Sequence, residues 1–465
     1  MRSWVAGTLA LSATIGLAGL AVPAEAKAAA KPYDFNGDGR RDLAIGSPGG
    51  RVGKASGAGF VSVVYGSASG IGGARKVIGQ NSAGVPGAAE AGDRFGSSLA
   101  SADFNRDGYA DLAVGAPGEN AGTGSVTILW GSRSGLAKAS VHTEARAAKG
   151  HRFGESLAAG DIQGDGSPEL FVTVPGTSTY TWLYFGGARA KAMDAPARIR
   201  SARDVDQSWV AAGDVNGDGR GDVAYGWFDH DDPEVDHRRG FTVFYGTSGG
   251  GFTRGTTVYK AVFSLAIADF DGDRRGDVAA GDIYDSPWVG GSVRVYRGSP
   301  FGLSGSYDIH QGTPGVPGIG RVEDDFGYAL AAGDVNGDGR ADLAVGAPKS
   351  DVGGAFDAGT AFLLLGSPSG LTGRGAQEFS QASRGVPGTA VAHEHFGLQV
   401  SLLDHDRDGR ADLVSGAPDE DRGDGGVTFL RGGASGLVAR GASALSATTL
   451  GVRGRAAHVG GRLGR

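Results

Sequence analysis

The chain contains no cysteine, so no disulfide can staple it and no thiol can serve as nucleophile or metal ligand. It also lacks a basic excess: 44 Lys and Arg stand against 51 Asp and Glu, for a net charge of −7. That balance argues against nucleic acid as a partner, because phosphate contacts need a basic face. Beyond the N-terminal stretch no run of 18 apolar residues occurs, so no later segment reads as a membrane span. H-E-x-x-H and P-loop patterns are absent, and with them the commonest metalloprotease and nucleotide signatures. There is no heptad pattern and no long linker. Glycine, by contrast, is abundant at 87 of 465 residues, and it sits at the ends of apolar runs where tight turns require it.

What is present is an aspartate-rich loop repeated seven times. The copies are DFNGDGRRD from Asp34, DFNRDGYAD from Asp103, DIQGDGSPE from Asp161, DVNGDGRGD from Asp214, DFDGDRRGD from Asp269, DVNGDGRAD from Asp334 and DHDRDGRAD from Asp404. Position 3 is Asn36, Asn105, Gln163, Asn216, Asp271, Asn336 or Asp406, and position 5 is Asp38, Asp107, Asp165, Asp218, Asp273, Asp338 or Asp408. Position 9 is Asp42, Asp111, Glu169, Asp222, Asp277, Asp342 or Asp412. Position 7, offering its backbone carbonyl, is Arg40, Tyr109, Ser167, Arg220, Arg275, Arg340 or Arg410. Hard oxygen donors at alternate positions around a glycine turn are what Ca²⁺ coordination asks for, and about five to seven ions are expected. The loop at Asp161 is expected to be weaker, with Gln163 and the longer Glu169; that at Asp269 has Arg274 where glycine belongs. Seven divalent ions carry +14, which would take the net charge from −7 to about +7, so the acidity reflects cation ligands.

These loops are not EF-hands. Position 12 is Ile45, Val114, Val172, Tyr225, Ala280, Val345 or Ser415, with no bidentate Glu. Each loop runs into a short apolar stretch such as DLAVGAP at 111–117, and a second run follows, such as GSVTILWG at 124–131. A third run precedes most loops, as in RFGSSLASAD at 94–103. Short runs rich in β-branched and aromatic residues and closed by Gly or Pro read as strands. Three strands and a weaker fourth per unit make one antiparallel sheet that cannot bury both faces alone. Seven sheets arranged radially can, so the expected fold is an all-β, seven-bladed β-propeller of four-stranded blades.

Phe95-Gly96, Asp103–Asp111 and Gly115-Ala116-Pro117 together resemble one FG-GAP repeat, as do the corresponding triples at 326–348 and 396–418. That is the repeat of the propeller at the head of integrin α-subunits and of many secreted bacterial proteins. The resemblance covers residues from about 33 to the C-terminus and implies the same propeller. Trp209 and Phe263 stand where Phe-Gly would open units four and five, and Pro175, Trp227 and Asp282 interrupt the middle GAP motifs. Unit one has no Phe-Gly of its own. The C-terminal GVRGRAAHVGGRLGR aligns with 84–100, putting Val459-Gly460 at Phe95-Gly96 and Leu463 at Leu99. Residues 457–465 should therefore pair with 42–47 and complete blade one, which otherwise spans about 33–91.

The N-terminus reads as an export signal over 1–26, with Arg2, an apolar stretch from Trp4 to Val22 and cleavage near Ala26; the propeller occupies 27–465. A secreted monomer is expected. His393-Glu394-His395 could aim two imidazoles at a metal, yet it reads first as a solvated loop, because a zinc site needs three or four ligands. The charge run at 229–237 reads as a solvated face. Of three Arg-Gly-Asp triplets, those ending at Asp222 and Asp277 lie inside the loops, and only Arg422-Gly423-Asp424 reads as a free loop. The function expected is a non-catalytic recognition or adhesion module for protein or carbohydrate ligands, carried on loops held by a rigid scaffold. A secreted hydrolase or lyase is the alternative, since propellers host both.

Overall fold

The computed structural model describes residues 29–143, 148–175, 181–185, 192–197, 205–230, 238–249, 251–452, 454 and 456–465. The expected export signal lies outside these, as does 231–237 of the charge run. Among the described residues the backbone forms four-stranded antiparallel sheets. In unit two Ser98–Ala102, Asp111–Ala116, Ser125–Trp130 and Lys138–His142 lie side by side in that order. Six sheets are described throughout; in the third unit Thr181–Phe185 and Ala192–Ala197 are described by backbone pairing alone. The architecture is an all-β propeller of four-stranded antiparallel blades. Among the described residues, no helix is long and apolar enough to cross a membrane.

Burial follows strand order. Asp111–Ala116 is buried at every position, whereas no residue of the outer Lys138–His142 is. The second strand is covered on both faces by neighbouring sheets, which is why it reads as an unbroken apolar run and not as an alternation. The side chains between sheets form separate clusters, each shared by two units. One joins Ala44, Val61 and Val63 of unit one to Phe95, Leu112 and Val114 of unit two.

The Phe-Gly and Gly-Ala-Pro motifs meet at these junctions. A Cβ on Gly115 would lie 2.1 Å from the carbonyl oxygen of Gly154 in the next unit, and one on Gly346 would lie 2.0 Å from that of Gly397. Only glycine permits that approach. The same contact joins Gly416 to Gly460 at 2.1 Å, so Gly460 fills the Phe-Gly role of unit one. Arg462–Leu463 pairs antiparallel with Leu43–Ser47, Ile45 opposite Leu463 and Gly46 opposite Arg462. Val459 and Leu463 lie in one cluster with Leu43, Ile45, Val414 and Phe429, so the first and last units share a core.

The middle units differ from the sequence reading. Trp209 pairs with Gly226 as Ser98 pairs with Gly115, and Phe263 donates its N–H to Gly281 as Ser97 does to Gly115. Both aromatic residues therefore lie two to three positions beyond the Phe-Gly site, Trp209 inside the inner strand Gln207–Gly213 and Phe263 just before Ser264–Ala268. In unit three Gly154 donates to Thr173 as Gly96 does to Gly115, so Thr173 replaces the GAP glycine and Pro175 keeps the proline position. A gapless reading from Phe-Gly could not place these, because register is fixed by cross-strand pairing.

Candidate metal loops and central cavity

Each aspartate loop leads into the second strand of its sheet, and in every unit but the first it follows directly on the inner strand, so all of them lie at one end of the propeller. The position 1 carboxylate organises the turn. Asp34 accepts the N–H of Asp38 at 3.0 Å on Oδ1 and that of Gly39 at 2.9 Å on Oδ2. Asp103, Asp161, Asp334 and Asp404 accept the equivalent pairs. Two residues per loop take left-handed φ, at positions 4 and 6. Position 6 is glycine except Arg274 at φ 69°, and position 4 is glycine except Arg106 at 57° and Arg407 at 66°. The sequence reading recognised the demand at position 6 and missed that at position 4.

Position 9 ties the loop to the sheet. Asp342 accepts the N–H of Val335 on Oδ2 at 2.9 Å and that of Gly366, at the end of the third strand, on Oδ1 at 2.8 Å. Asp42, Asp111, Asp222 and Asp412 do the same with Gly66, Gly131, Gly246 and Gly432. Those glycines are partners that the spacing did not reveal. Burial pushes the position 9 acids up, to about 7 for Asp42, Asp111, Glu169 and Asp412 and about 6 for Asp222, Asp277 and Asp342.

These residues fit a hard divalent cation. Asp269, Asp271 and Asp273 each bring one oxygen within 4.8 Å of the others, as do Asp404, Asp406 and Asp412. In the fifth loop Oδ2 of Asp277 is buried without a hydrogen-bond partner. A cation there would supply the charge that these buried acids lack. Asn36 and Asn336 instead turn their amide nitrogens toward Asp38 and Asp338, at 3.3 and 3.2 Å. The position 7 side chains Arg220, Arg340 and Arg410 pair with the position 5 carboxylates at 2.9, 2.5 and 3.5 Å.

Neighbouring loops are also bonded to one another. The position 8 N–H of one loop donates to the position 1 carbonyl of the loop before it: Ala110 to Asp34, Gly221 to Asp161, Gly276 to Asp214, Ala341 to Asp269 and Ala411 to Asp334. Arg41 donates likewise to Asp404 at 3.1 Å, linking the first loop to the last. In the third loop position 8 is Pro168, which has no N–H to give Asp103.

The FG-GAP repeat pattern matches residues 30–64, 95–129 and 326–364. The chain carries FG-GAP repeats. Phosphatidylinositol-glycan-specific phospholipase D of Rattus norvegicus is 35% identical over 147 residues, which is 30% of this chain and 17% of that protein. Integrin alpha-PS5 of Drosophila melanogaster is 36% identical over 159 residues, 32% of this chain and 15% of the integrin. The matched segment is thus less than a fifth of either relative. Among solved structures the BP39L lectin of Burkholderia pseudomallei covers 85% of this chain and 96% of its own, at 14% identity and a TM-score of 0.48, a likeness too loose to bear on function.

At the opposite end, the starts of the inner strands of the FG-GAP units enclose a cavity of about 450 Å³. Arg94, Arg152, Arg462 and Arg465 line it against two acids, Glu155 and Asp206, with Trp209, Phe263 and Tyr328 as an aromatic wall. The Phe263 ring lies 5.7 Å from Trp209 and 6.5 Å from Tyr328. No local pattern marks this convergence, because the lining is drawn from short stretches of separate units. The Arg422-Gly423-Asp424 triplet is not a free loop: Gly423 is buried, and both carboxylate oxygens of Asp424 accept the N–H of Gly454, at 3.1 and 3.0 Å.

Proposed function

We propose that this chain is an exported, calcium-binding propeller of seven blades closed into a ring, acting as a non-catalytic recognition module. Closure is supported by the pairing of Arg462–Leu463 with Leu43–Ser47 and by the bond from Arg41 to Asp404. Calcium is supported by the oxygen donors at positions 1, 3, 5 and 9 of the loops. Recognition is carried by the cavity. In a chain of net charge −7, four arginines beside an aromatic wall suit a ligand with an anionic group and a flat apolar face, such as an acidic sugar or a carboxylate-bearing peptide. Among the described residues that line it there is no histidine, so these offer no imidazole base beside the serines.

A glycan array containing acidic and neutral sugars, run with calcium, tests this beside a panel of ester, phosphodiester and glycoside substrates. Binding of acidic members, lost in Arg94→Ala and Trp209→Ala, is the expected result. Turnover of any substrate by the purified chain would overturn it in favour of an enzyme, the reading raised by the phospholipase D relative.

A further inference from the structure

The pair His393 and His395 lacked a third ligand in the sequence, and the fold supplies one. Asp357 lies in the loop between the second and third strands of unit six, 36 residues before His393, and its Oδ2 is 3.0 Å from Nδ1 of His393. One ligand atom each from Asp357, His393 and His395 lies within 4.8 Å of the others. Nδ1 of His395 is 2.7 Å from Oδ2 of Asp419, whose other oxygen is 3.1 Å from Nδ1 of His458. An imidazole that donates Nδ1–H to a carboxylate presents the lone pair of Nε2 and is held in orientation, as metal-bound histidines commonly are. The cluster lies on the face away from the aspartate loops.

The repeat provides an internal control. His395 donates its N–H to the Asp357 carbonyl and His393 to that of Phe356; at the junction of units one and two Arg94 donates to Gly57 and Gly92 to Ser56. The backbone therefore brings the same three positions together in both places. At the other junction they are Gly57, Gly92 and Arg94, and two of them use glycine to hold φ of 66° and 89°. Here the same left-handed positions hold Asp357 at 50° and His393 at 65°, a conformation that costs non-glycine residues energy. The nearby cation Lys349 is already paired, 3.1 Å from Asp325.

We propose that Asp357, His393 and His395 form a site for Zn²⁺ or a similar borderline divalent ion, distinct from the aspartate loops, with Asp419 as a positioning residue. Two imidazoles and a carboxylate are a donor set suited to zinc and poorly suited to calcium. Tetrahedral bonds of about 2.0–2.2 Å require the ligand atoms to close to about 3.4 Å, which rotation of the exposed His393 side chain allows. His393 is 67% exposed and Asp357 35%, so the fourth position faces solvent and would hold water.

The test is isothermal titration of the full chain with ZnCl₂ in saturating calcium, which blocks the oxygen loops, followed by Co²⁺ absorption spectra. One zinc per chain is expected, with affinity falling at least ~10-fold in His393→Ala, His395→Ala and Asp357→Asn. Asp419→Asn should weaken binding by roughly 10-fold while keeping the stoichiometry. His310→Ala should leave it unchanged, and circular dichroism checks that each variant is folded. No zinc binding, or binding that survives the His393/His395 double variant, overturns the proposal.

Discussion

Arg274 is the residue at which local chemistry and fold disagree most plainly. Its φ of 69° is what the other loops give to glycine, and its N–H still donates to Asp269 at 2.7 Å. Arg274→Gly keeps that bond and removes the strain, so it should raise stability by up to about 1 kcal/mol, read from chemical denaturation. Glu420 offers a second prediction, set by pH. Burial first, then the nearby Glu394 and Asp421 carboxylates, push it up to about 7, against a hydrogen bond from Gln381 at 3.2 Å. Since the folded value lies above the unfolded one, the protonated acid favours the fold, and that stability is lost as pH rises from about 4.5 through 7. Glu420→Gln should therefore melt higher than the parent at pH 8, with the gap closing by pH 5. A gap independent of pH would show that Glu420 ionises freely.

At the scale of elements, the two-residue strand Arg462–Leu463 does more than its length suggests. It pairs with Leu43–Ser47, Gly464 donates to Ala44 at 2.9 Å, and Ser401 donates its hydroxyl to the Gly464 carbonyl. Val459 and Leu463 are buried in the core between the first and last units. Removing 457–465 withdraws both side chains and exposes the edge of Leu43–Ser47, at a cost of roughly 3–6 kcal/mol from lost apolar burial. Thermal melting of the truncated chain checks this. A melt unchanged from the full chain would show that the tail is dispensable.

For the whole molecule, the aspartate loops and the Phe-Gly contacts hold the two ends of each junction between units. Without a disulfide, and with position 9 acids buried near neutral pKa, the metal-free loops carry carboxylate charge that the position 7 arginines offset only in part. Excess EGTA should therefore lower the melting temperature by roughly 10 °C, because several sites each contribute by mass action. Returning calcium should restore it, whereas an unchanged curve in EGTA would count against structural calcium in these loops.

The sequence by itself determined the repeat, its strands and the loop donors, because those depend on local spacing: alternate oxygens around a turn, and apolar runs closed by glycine. Even the pairing of the C-terminal strand with Leu43–Ser47 was legible, since Val459-Gly460 stands in the alignment where Phe95-Gly96 stands in unit two. Only the tertiary structure decided what meets across units. Trp209 and Phe263 shifted inward because pairing sets register, and the arginines of the cavity come from units far apart in sequence. Asp357 joined His393 through a contact 36 residues long that no periodicity encodes. Local patterns are written in consecutive residues, while a shared site between sheets exists only once their packing has placed it.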